Sequence, residues 1–521
     1  MWFAAALCAL AVARADTTLA SVAPGAPIVV IRIERHDVFD LDDPSTSARA
    51  YRWVDAVHAL TRESFIRSLL LFHEGDALDP LRLAESELIL RGTGFLNPVI
   101  ISAHAIPGGA EVVVETHDQW TIGLDLSFDV SGNRARAGGS LSDDNLLGSG
   151  QSVLVESDSG PERTSRKVAY ADRAILGSRW QVDLSGTMST DGSERFLRLE
   201  YPFFALATPR AGGIVWYENT EQGHLWASAE RSVSGSAERR DLEVWMGFRV
   251  PGEGVRTDRI LVGAFGERAL FGRWRRADGA LFERPSDRNL AGPEIGWEHA
   301  TFRWKVVNGF RSWVRQEDLP LGPNWQIKAG LSLPGAGGDR ARGRYSGTFD
   351  VGRWRERTYM WAAAAISGRI EGGNSADAIA HFELGGAMTG VTGLRLRVAA
   401  DLGHALDRDR QLTLGADSGL RGYDPNKFDG TSRAVANVEW RHRITGELLH
   451  IAVLGMTLFA DAGRTWGARV GPSSAGWRSD AGAGVLVEIT RASVVRILRL
   501  EVAFPDRGGK PVVQVTSKSL F

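Results

Sequence analysis

The feature that most constrains this fold is a hydrophobic period of two residues, which begins near residue 118 and persists almost to the end of the chain. Apolar and polar side chains alternate at residues 121–130, 302–306, 434–441 and 498–504. A period of two places successive side chains on opposite faces of a β-strand. Clusters of Gly, Ser, Asn and Asp, such as residues 131–133 and 190–193, separate these runs. The pattern therefore predicts a long series of antiparallel strands with one apolar face.

Two fold classes can contain so many alternating strands. One is a soluble array of β-sandwiches with its charged face in water, and the other is a wide barrel with lipid outside and water or a plug inside. The length of the alternating region favours a transmembrane antiparallel β-barrel over residues 118–521. At roughly 25 residues per strand and connection, we expect about 16 strands, and nearby even numbers fit almost as well. The sequence contains no run of 18 apolar residues, so it predicts no membrane-spanning helix.

The first residues resemble an export signal. Residues 1–12 are apolar and rich in small side chains, and Ala13-Arg14-Ala15 fits an Ala-x-Ala cleavage site, although no Lys or Arg precedes the apolar run. The alternative, an uncleaved anchor, would need about 20 apolar residues. We therefore predict a signal peptide at residues 1–15. The single cysteine, Cys8, lies within it, so the mature chain has no disulfide, thiolate metal site or cysteine nucleophile.

Composition and motifs exclude several functions. Lys plus Arg number 61 and Asp plus Glu 63, so the chain lacks the basic excess typical of nucleic-acid binding. No Gly-x-Ser-x-Gly or phosphate-binding loop is present, and no pair among the 11 histidines has metal-ligand spacing. His104 and His117 are interpreted as ordinary surface or core residues. We expect no enzyme activity, cofactor or metal.

Residues 28–117 have a different, mixed pattern. A β-branched strand at 28–33 precedes a helix that Thr61 can cap and a second helix that begins at Asp79-Pro80. Two strands follow, at 99–103 and 111–116. The order strand, helix, helix, strand, strand predicts a small α+β domain.

That element order, with Glu74-Gly75-Asp76 and Gly94-Phe95-Leu96, resembles a POTRA domain, the periplasmic module that precedes outer-membrane assembly barrels. Residues 41–60 depart from the POTRA pattern as an amphipathic insertion. The element order alone also fits other small α+β domains.

Three segments of the barrel region resemble the BamA/TamA family of outer-membrane proteins, the bacterial surface antigen type. Residues 144–150, DNLLGSG, are similar to the family's turn after the first barrel strand. Residues 415–423 are similar to its sixth extracellular loop, whose tip is Leu420, Arg421, Gly422 and Tyr423 here. Residues 459–466, with Phe459, Asp461 and Gly463, are similar to the strand that faces this tip. With the terminal Phe521, the resemblance covers almost the whole mature chain.

The resemblance implies that Arg421 folds into the lumen and contacts Asp461. An unpaired charge inside a barrel is costly, and removing one member of a buried pair typically costs about 3–5 kcal/mol. Phe459 and Asp461 share one face of a regular strand, so both point inward unless an irregularity near Gly463 separates them. The alternative is an ordinary surface turn at 420–426 and a solvated Asp461.

The C-terminus resembles a barrel-assembly signal because it ends in the aromatic Phe521. Ser517 and Ser519 share its parity, where larger apolar residues usually stand. We hypothesise that they loosen the seam between the last strand and the first, at residues 121–130.

The resemblance implies a function at the bacterial outer membrane, with the POTRA-like domain in the periplasm. Its expected partners are unfolded outer-membrane or secreted protein clients, outer-membrane lipid and lipopolysaccharide, and its expected activity is protein insertion or translocation. Arg273-Trp274-Arg275-Arg276 is either a lipopolysaccharide contact or a solvated loop. A two-partner secretion transporter, which normally has two POTRA modules, and a passive pore are the alternative functions.

Overall fold

A computed structural model of the chain describes residues 22–42, 44–46, 49–131, 134–160, 163–252, 254–493 and 497–517. The predicted signal peptide, Cys8, Ser519 and the terminal Phe521 lie outside the described residues.

The N-terminal domain is a three-stranded sheet covered on one face by helices. Its elements are β1 (Ile28–His36), α1 (Arg49–Val57), α2 (Glu63–Leu69), α3 (Pro80–Arg91), β2 (Leu96–Ile106) and β3 (Gly109–Asp118). The sheet order is β1-β3-β2, with β1 parallel and β2 antiparallel to β3. Its core includes Ile66, Leu83, Leu90 and Ile101, all inaccessible to solvent.

Two local features explain where the helices of this domain begin. The carboxylate of Asp79 accepts a hydrogen bond from the Leu81 amide at 2.9 Å, and Pro80 follows it, so α3 has the start that its sequence predicts. The predicted cap at Thr61 is wrong, because the residue before α2 is Arg62, which makes no capping bond. The Thr61 hydroxyl instead donates to Asp118 at 2.7 Å. The insertion at 41–60 contains the additional helix α1.

The rest of the described chain is almost entirely β-strand. The strands in chain order are β4 (Ile122–Ser131), β5 (Arg134–Asp143), β6 (Gln151–Ser159), β7 (Thr164–Asp172), β8 (Gln181–Ser189), β9 (Gly192–Tyr201), β10 (Arg210–Ala227), β11 (Glu230–Val250), β12 (Arg256–Arg276), β13 (Leu281–Phe282), β14 (Arg288–Thr301), β15 (Trp304–Val307), β16 (Glu317–Pro320), β17 (Gly322–Ser332), β18 (Arg342–Arg355), β19 (Thr358–Glu371), β20 (Asn374–Met388), β21 (Thr392–His404), β22 (Ser432–Arg443), β23 (Ala452–Trp466), β24 (Arg478–Ile489), β25 (Ile497–Pro505) and β26 (Val512–Thr516).

All of β4–β26 except β15 and β16 form one closed antiparallel barrel, which β26 closes by pairing with β4. The short β13 and the longer β14 pair with the same neighbour, β12, and so occupy one position in the barrel wall. The 21 described strand segments therefore fill twenty positions, which we call staves. The predicted number of about 16 is therefore too low. The first six staves occupy only residues 122–201, because their connections are short at both ends of the barrel. An average spacing of about 25 residues overestimates the length of such hairpins.

The outer face of the barrel is apolar, and its inner face is polar. On β21, Leu394, Leu396 and Val398 are 41–55% exposed, whereas Arg395 between them is 3% exposed and faces inward. The same outward exposure recurs around the barrel at Ile295, Trp297, Ile327, Phe382, Leu384, Leu458, Val485 and Leu500. An exposed apolar surface of this extent is rare on soluble proteins and typical of a lipid-facing one.

None of the described helices is long and apolar enough to cross a membrane.

The pair β15–β16 forms a separate two-stranded hairpin between β14 and β17. We call residues 302–321 the inner hairpin. The alternation of Phe302, Trp304 and Val306 predicted a barrel strand there, and that prediction is wrong. The hairpin packs between the N-terminal domain and the barrel wall, so its two faces also differ. A period of two therefore occurs in it although its strands are not part of the barrel.

Candidate functional site

The connection between β21 and β22 folds back into the barrel. It lies at the end remote from the N-terminal domain, which we call the distal end; the domain lies at the proximal end. Reciprocal backbone bonds of 2.9 and 3.0 Å join Leu414 and Phe428, and Leu420 is inaccessible to solvent. The predicted motif is thus inside the barrel. It belongs to the eighth distal connection rather than the sixth, because the barrel has more hairpins than expected.

Arg421 makes the central contact of this site. Its Nε and Nη2 donate to the two carboxylate oxygens of Asp461 at 2.8 and 2.9 Å, and its Nη1 donates to Glu439 at 2.8 Å. Its guanidinium lies 3.5 Å from the centre of the Phe459 ring. The strand β23 pairs without irregularity on both sides, so Phe459 and Asp461 both point inward. A planar guanidinium suits this combination of a bidentate ion pair and ring stacking.

Glycines make room for the returning loop. A Cβ on Gly463 would lie 2.8 Å from Leu414 Cδ2 and 3.3 Å from Leu420 Cγ. A Cβ on Gly422 would lie 2.5 Å from the Cβ of Asp480 on the adjacent strand β24. The three residues of the strand motif therefore have different roles. Phe459 stacks on Arg421, Asp461 forms an ion pair with it, and Gly463 leaves the space that Leu414 and Leu420 fill.

The ion-pair network is larger than the sequence motif. Glu439, with no solvent exposure, also accepts a hydrogen bond from Arg499 at 2.7 Å and pairs with Arg441. Glu501 lies 3.6 Å from Arg421. Sequence parity placed Glu439, Arg441, Arg499 and Glu501 on polar strand faces but could not assign partners, because partners depend on the register between β22, β23 and β25.

Tyr423 connects the loop tip to the end of the barrel wall. Its hydroxyl donates to Asp506 at 2.5 Å, in the connection between β25 and β26, and its ring packs on Phe428 at 5.1 Å. The loop therefore contacts β22, β23 and the last hairpin.

The closure of the barrel is a short strand pairing at its described residues. Within the described residues, β26 and β4 pair at three positions, Val513–Val130, Gln514–Asp129 and Val515–Phe128. The neighbouring β4–β5 pairing has ten positions and β25–β26 has five. At the proximal end, the backbone of Trp120 bonds to Arg491 and Ser493 at 2.6 and 2.9 Å, which fixes the start of β4.

The inner hairpin joins the N-terminal domain to the barrel wall. Arg91 at the end of α3 donates to both carboxylate oxygens of Asp318 at 2.8 and 2.9 Å. Arg315 donates to the Gly94 carbonyl at 2.7 Å and to the Ala492 carbonyl at 2.8 Å. The carboxylate of Glu488, on the wall strand β24, accepts from the Trp313 amide at 2.7 Å.

The turn at 144–150 is a second contact between domain and barrel. Asn145 donates from Nδ2 to the Thr61 hydroxyl at 2.7 Å and accepts from the Gly150 amide at 2.7 Å. The turn follows the second barrel strand, β5, not the first as predicted. Its conformation recurs at Ile175–Gly177, where Leu176 has the same φ of 52° as Leu147. The near-repeat of Leu-Leu-Gly-Ser as Ile-Leu-Gly-Ser was a sequence signal for this second turn.

Beside that turn lies a buried histidine. His58 Nε2 is 3.0 Å from the Asp118 carboxylate, and Asp37 and Asp55 are nearby acids. Burial alone would lower the pKa of His58, but the hydrogen bond and charge of Asp118 outweigh burial and raise it. Burial, followed by repulsion from Asp37, raises the pKa of Asp55 to about 6.

The described residues bring together one group of three metal-ligating side chains, His36, Glu115 and His117, and it lies outside the barrel.

No protein-family model and no curated protein matches the chain. Among solved structures, it is similar to BamA from Haemophilus ducreyi lacking POTRA domains 1–3, at 13% identity over 94% of this chain and 83% of that one, with a TM-score of 0.38. CdiB from Acinetobacter baumannii matches at 10% identity over 94% and 73%, with a TM-score of 0.48. CdiB from Escherichia coli matches at 13% identity over 97% and 92%, with a TM-score of 0.45. BamA and CdiB barrels are thus among the solved structures that this chain resembles.

Proposed function

We propose that this chain is an outer-membrane barrel that inserts or translocates other proteins, with its N-terminal domain acting as a periplasmic POTRA module. The apolar outer face supports the membrane location, because lipid is the solvent in which such a surface is stable. Pairing of the last strand with the first also closes the sheet, as a membrane-spanning sheet requires.

The observation that carries the proposal is the seam between the first strand, β4, and the last, β26, where the described pairing is short. Each backbone hydrogen bond lost in lipid is costly, so a barrel opens most readily where the fewest bonds join two staves. Within the described residues, three paired positions join β26 to β4, against ten between β4 and β5. Opening there exposes two strand edges to the membrane, and a client strand can pair with them. The folding free energy of the client drives this step, without nucleotide or metal.

The Arg421 cluster supports the opening by bracing the strands beside the seam. Arg421 bonds to Glu439 on β22 and Asp461 on β23 and lies near Glu501 on β25. These contacts tie the wall next to the seam to one buried cation, whereas none of them reaches β26. The braced wall therefore stays in register while β26 separates from β4.

The N-terminal domain supplies the step before insertion. In the described sheet, β1 and β2 are the outer strands of the order β1-β3-β2. The backbone groups of Ile28 and Ile31 on β1 already bond to residues 67–76, so β2 is the edge proposed for the client. An unfolded client can add its own strand to such an edge without strict sequence requirements.

A dedicated secretion transporter is the second candidate. The loop tip at Arg421 occupies the distal part of the lumen, and the inner hairpin contacts both the wall and the domain at the proximal end. Transport through the lumen would require both to move. The same two obstructions disfavour a passive pore.

Depletion followed by outer-membrane proteomics tests these functions against one another. We expect a broad loss of β-barrel proteins from the membrane. Loss of a single secreted protein would instead support dedicated export. An unchanged outer-membrane and secreted proteome would contradict the proposal.

A further inference from the structure

We propose that His36, Glu115 and His117 form a binding site for a divalent transition-metal ion of the zinc type on the N-terminal domain. The site is independent of the proposed insertion function. Its ligands come from two neighbouring strands, which explains why spacing along the sequence did not reveal it.

The sheet brings these three residues to one face. β1 and β3 are parallel and in register, with His36 opposite His117 and Glu34 opposite Glu115. Because side chains alternate along a strand, Glu115 and His117 project to the same side as His36. The opposite side, with Ile31 and Val114, is packed against the helices. The three ligands are thus anchored on rigid backbone and face solvent.

The geometry is close to what a metal ion requires. The Nε2 atoms of His117 and His36 lie 2.8 and 3.8 Å from the same carboxylate oxygen of Glu115. The imidazole rings stack at 4.4 Å with an angle of 15°, and all three ligand atoms lie within 4.8 Å of one another. Tetrahedral zinc with bonds of about 2.0–2.1 Å needs ligand atoms about 3.3 Å apart. The present distances bracket that value. Because the stacked rings direct their lone pairs nearly parallel, both imidazoles must rotate about χ2 to bind one ion.

The chemistry of the ligands selects the ion. Two imidazoles and one carboxylate suit zinc, nickel or copper, whereas magnesium and calcium prefer oxygen ligands alone. The side chains of His36, Glu115 and His117 are 48, 34 and 31% exposed, so an ion can enter and keep a water as its fourth ligand. Arg32 on the same face lies 3.4 and 3.5 Å from Glu34 and Glu111, so it engages the neighbouring acids and not Glu115.

Isothermal titration of the full-length, tag-free protein in detergent with zinc chloride at pH 7.5 tests the site. After removal of bound metal with a chelator, we expect one zinc ion per chain, undisturbed by millimolar magnesium. His36→Gln and His117→Gln should each weaken binding at least tenfold, because each removes a direct ligand. Glu115→Gln should also weaken it at least tenfold, because it removes the one anionic ligand.

His104→Gln is the matched control. His104 lies on β2, where its Nε2 is 3.1 Å from the Ser102 hydroxyl, outside the cluster. Its substitution should leave zinc affinity unchanged. Cobalt(II) should give a visible absorption band of tetrahedral coordination in the wild type that is lost in His117→Gln. Absence of a one-to-one site, or equal affinity in His36→Gln and the wild type, would overturn the proposal. So would a loss in the control as large as in the ligand variants.

Discussion

Arg421 is the residue on which the buried charge network of the lumen depends. Its guanidinium bonds to Asp461 and Glu439 and stacks on Phe459. Removing it takes the ion-pair partner from buried Asp461, which costs about 3–5 kcal/mol, whereas Glu439 keeps Arg441 and Arg499. Arg421→Ala should therefore lower the temperature at which the barrel unfolds. Gel electrophoresis measures this temperature as the point where the band shifts from folded to unfolded mobility.

Arg464→Ala, on an exposed position of the same strand, is the control and should leave that temperature unchanged. Arg421→Lys should recover only part of the loss, since an ammonium cannot pair bidentately and stack at once. Equal melting of Arg421→Ala and the wild type would contradict the assigned role.

The junction around His58 should become less stable as pH rises. The pKa of His58 is raised above 6.5, so its charged form contributes stability below that pH, and this contribution is lost as pH rises through the folded-state pKa. The pKa of Asp55 is also raised, to about 6, so its ionisation likewise destabilises the folded state as pH rises. Hydrogen exchange in α2, corrected for its intrinsic pH dependence, should show less protection at pH 8 than at pH 6.

His58→Gln removes the titrating imidazole and should remove most of that difference in protection. Protection that increases with pH in the wild type would contradict the assigned charge states.

The motif and the parity of positions predicted contacts correctly where the residues involved lie on one strand. They placed Phe459 and Asp461 on one face, and the structure brings both to Arg421. Parity could not identify Arg499 or Glu439 as partners, because their meeting depends on the register of β22–β25. Nor could it identify His36 with His117, which are neighbours only through the pairing of β1 with β3.

The inner hairpin is the element that connects the domain to the barrel. Asp318 accepts two hydrogen bonds from Arg91, whose side chain is only 2% exposed. Asp318→Asn removes the hairpin's charge from this buried cation and leaves it with Glu87 on its own helix, 2.9 Å away. Limited proteolysis of the folded protein should then cut faster within residues 308–316, and conductance through reconstituted barrels should increase.

Lys305→Ala also removes one charge from the same hairpin, of the opposite sign, and serves as the control. Unchanged cleavage and conductance in Asp318→Asn would show that the Arg91–Asp318 pair does not hold the hairpin.

At the element scale, the alternation predicted strands well and their neighbours poorly. Residues 122–130, 434–441 and 498–504 of the alternating segments lie in barrel strands, whereas 302–306 belongs to the inner hairpin. A local period reports that a strand has two different faces, and it carries no information about which surfaces cover them. The helix α1 within residues 41–60 lies beside the barrel, where the Tyr51 hydroxyl donates to the Leu449 carbonyl at 2.9 Å. No local pattern indicates such a contact.

We propose that the barrel works by separating β26 from β4 at its seam. The sequence indicated a barrel and suggested a loosened last strand from Ser517 and Ser519. It could not supply the number of staves, because the lengths of the first hairpins depend on where their turns lie. The alternation of side chains does not locate those turns. It also could not show that only three positions close the described barrel.

A reversible disulfide across the seam tests this claim most directly. Cysteines at Asp129 and Gln514, which are register partners, would join β4 to β26, and opposite residues of antiparallel strands lie within disulfide range. A matched pair at Thr187 and Glu194 joins β8 to β9, away from the seam. We expect the seam disulfide to abolish client assembly in reconstituted membranes, reductant to restore it, and the control disulfide to have no effect. Full assembly with the seam locked would contradict the account.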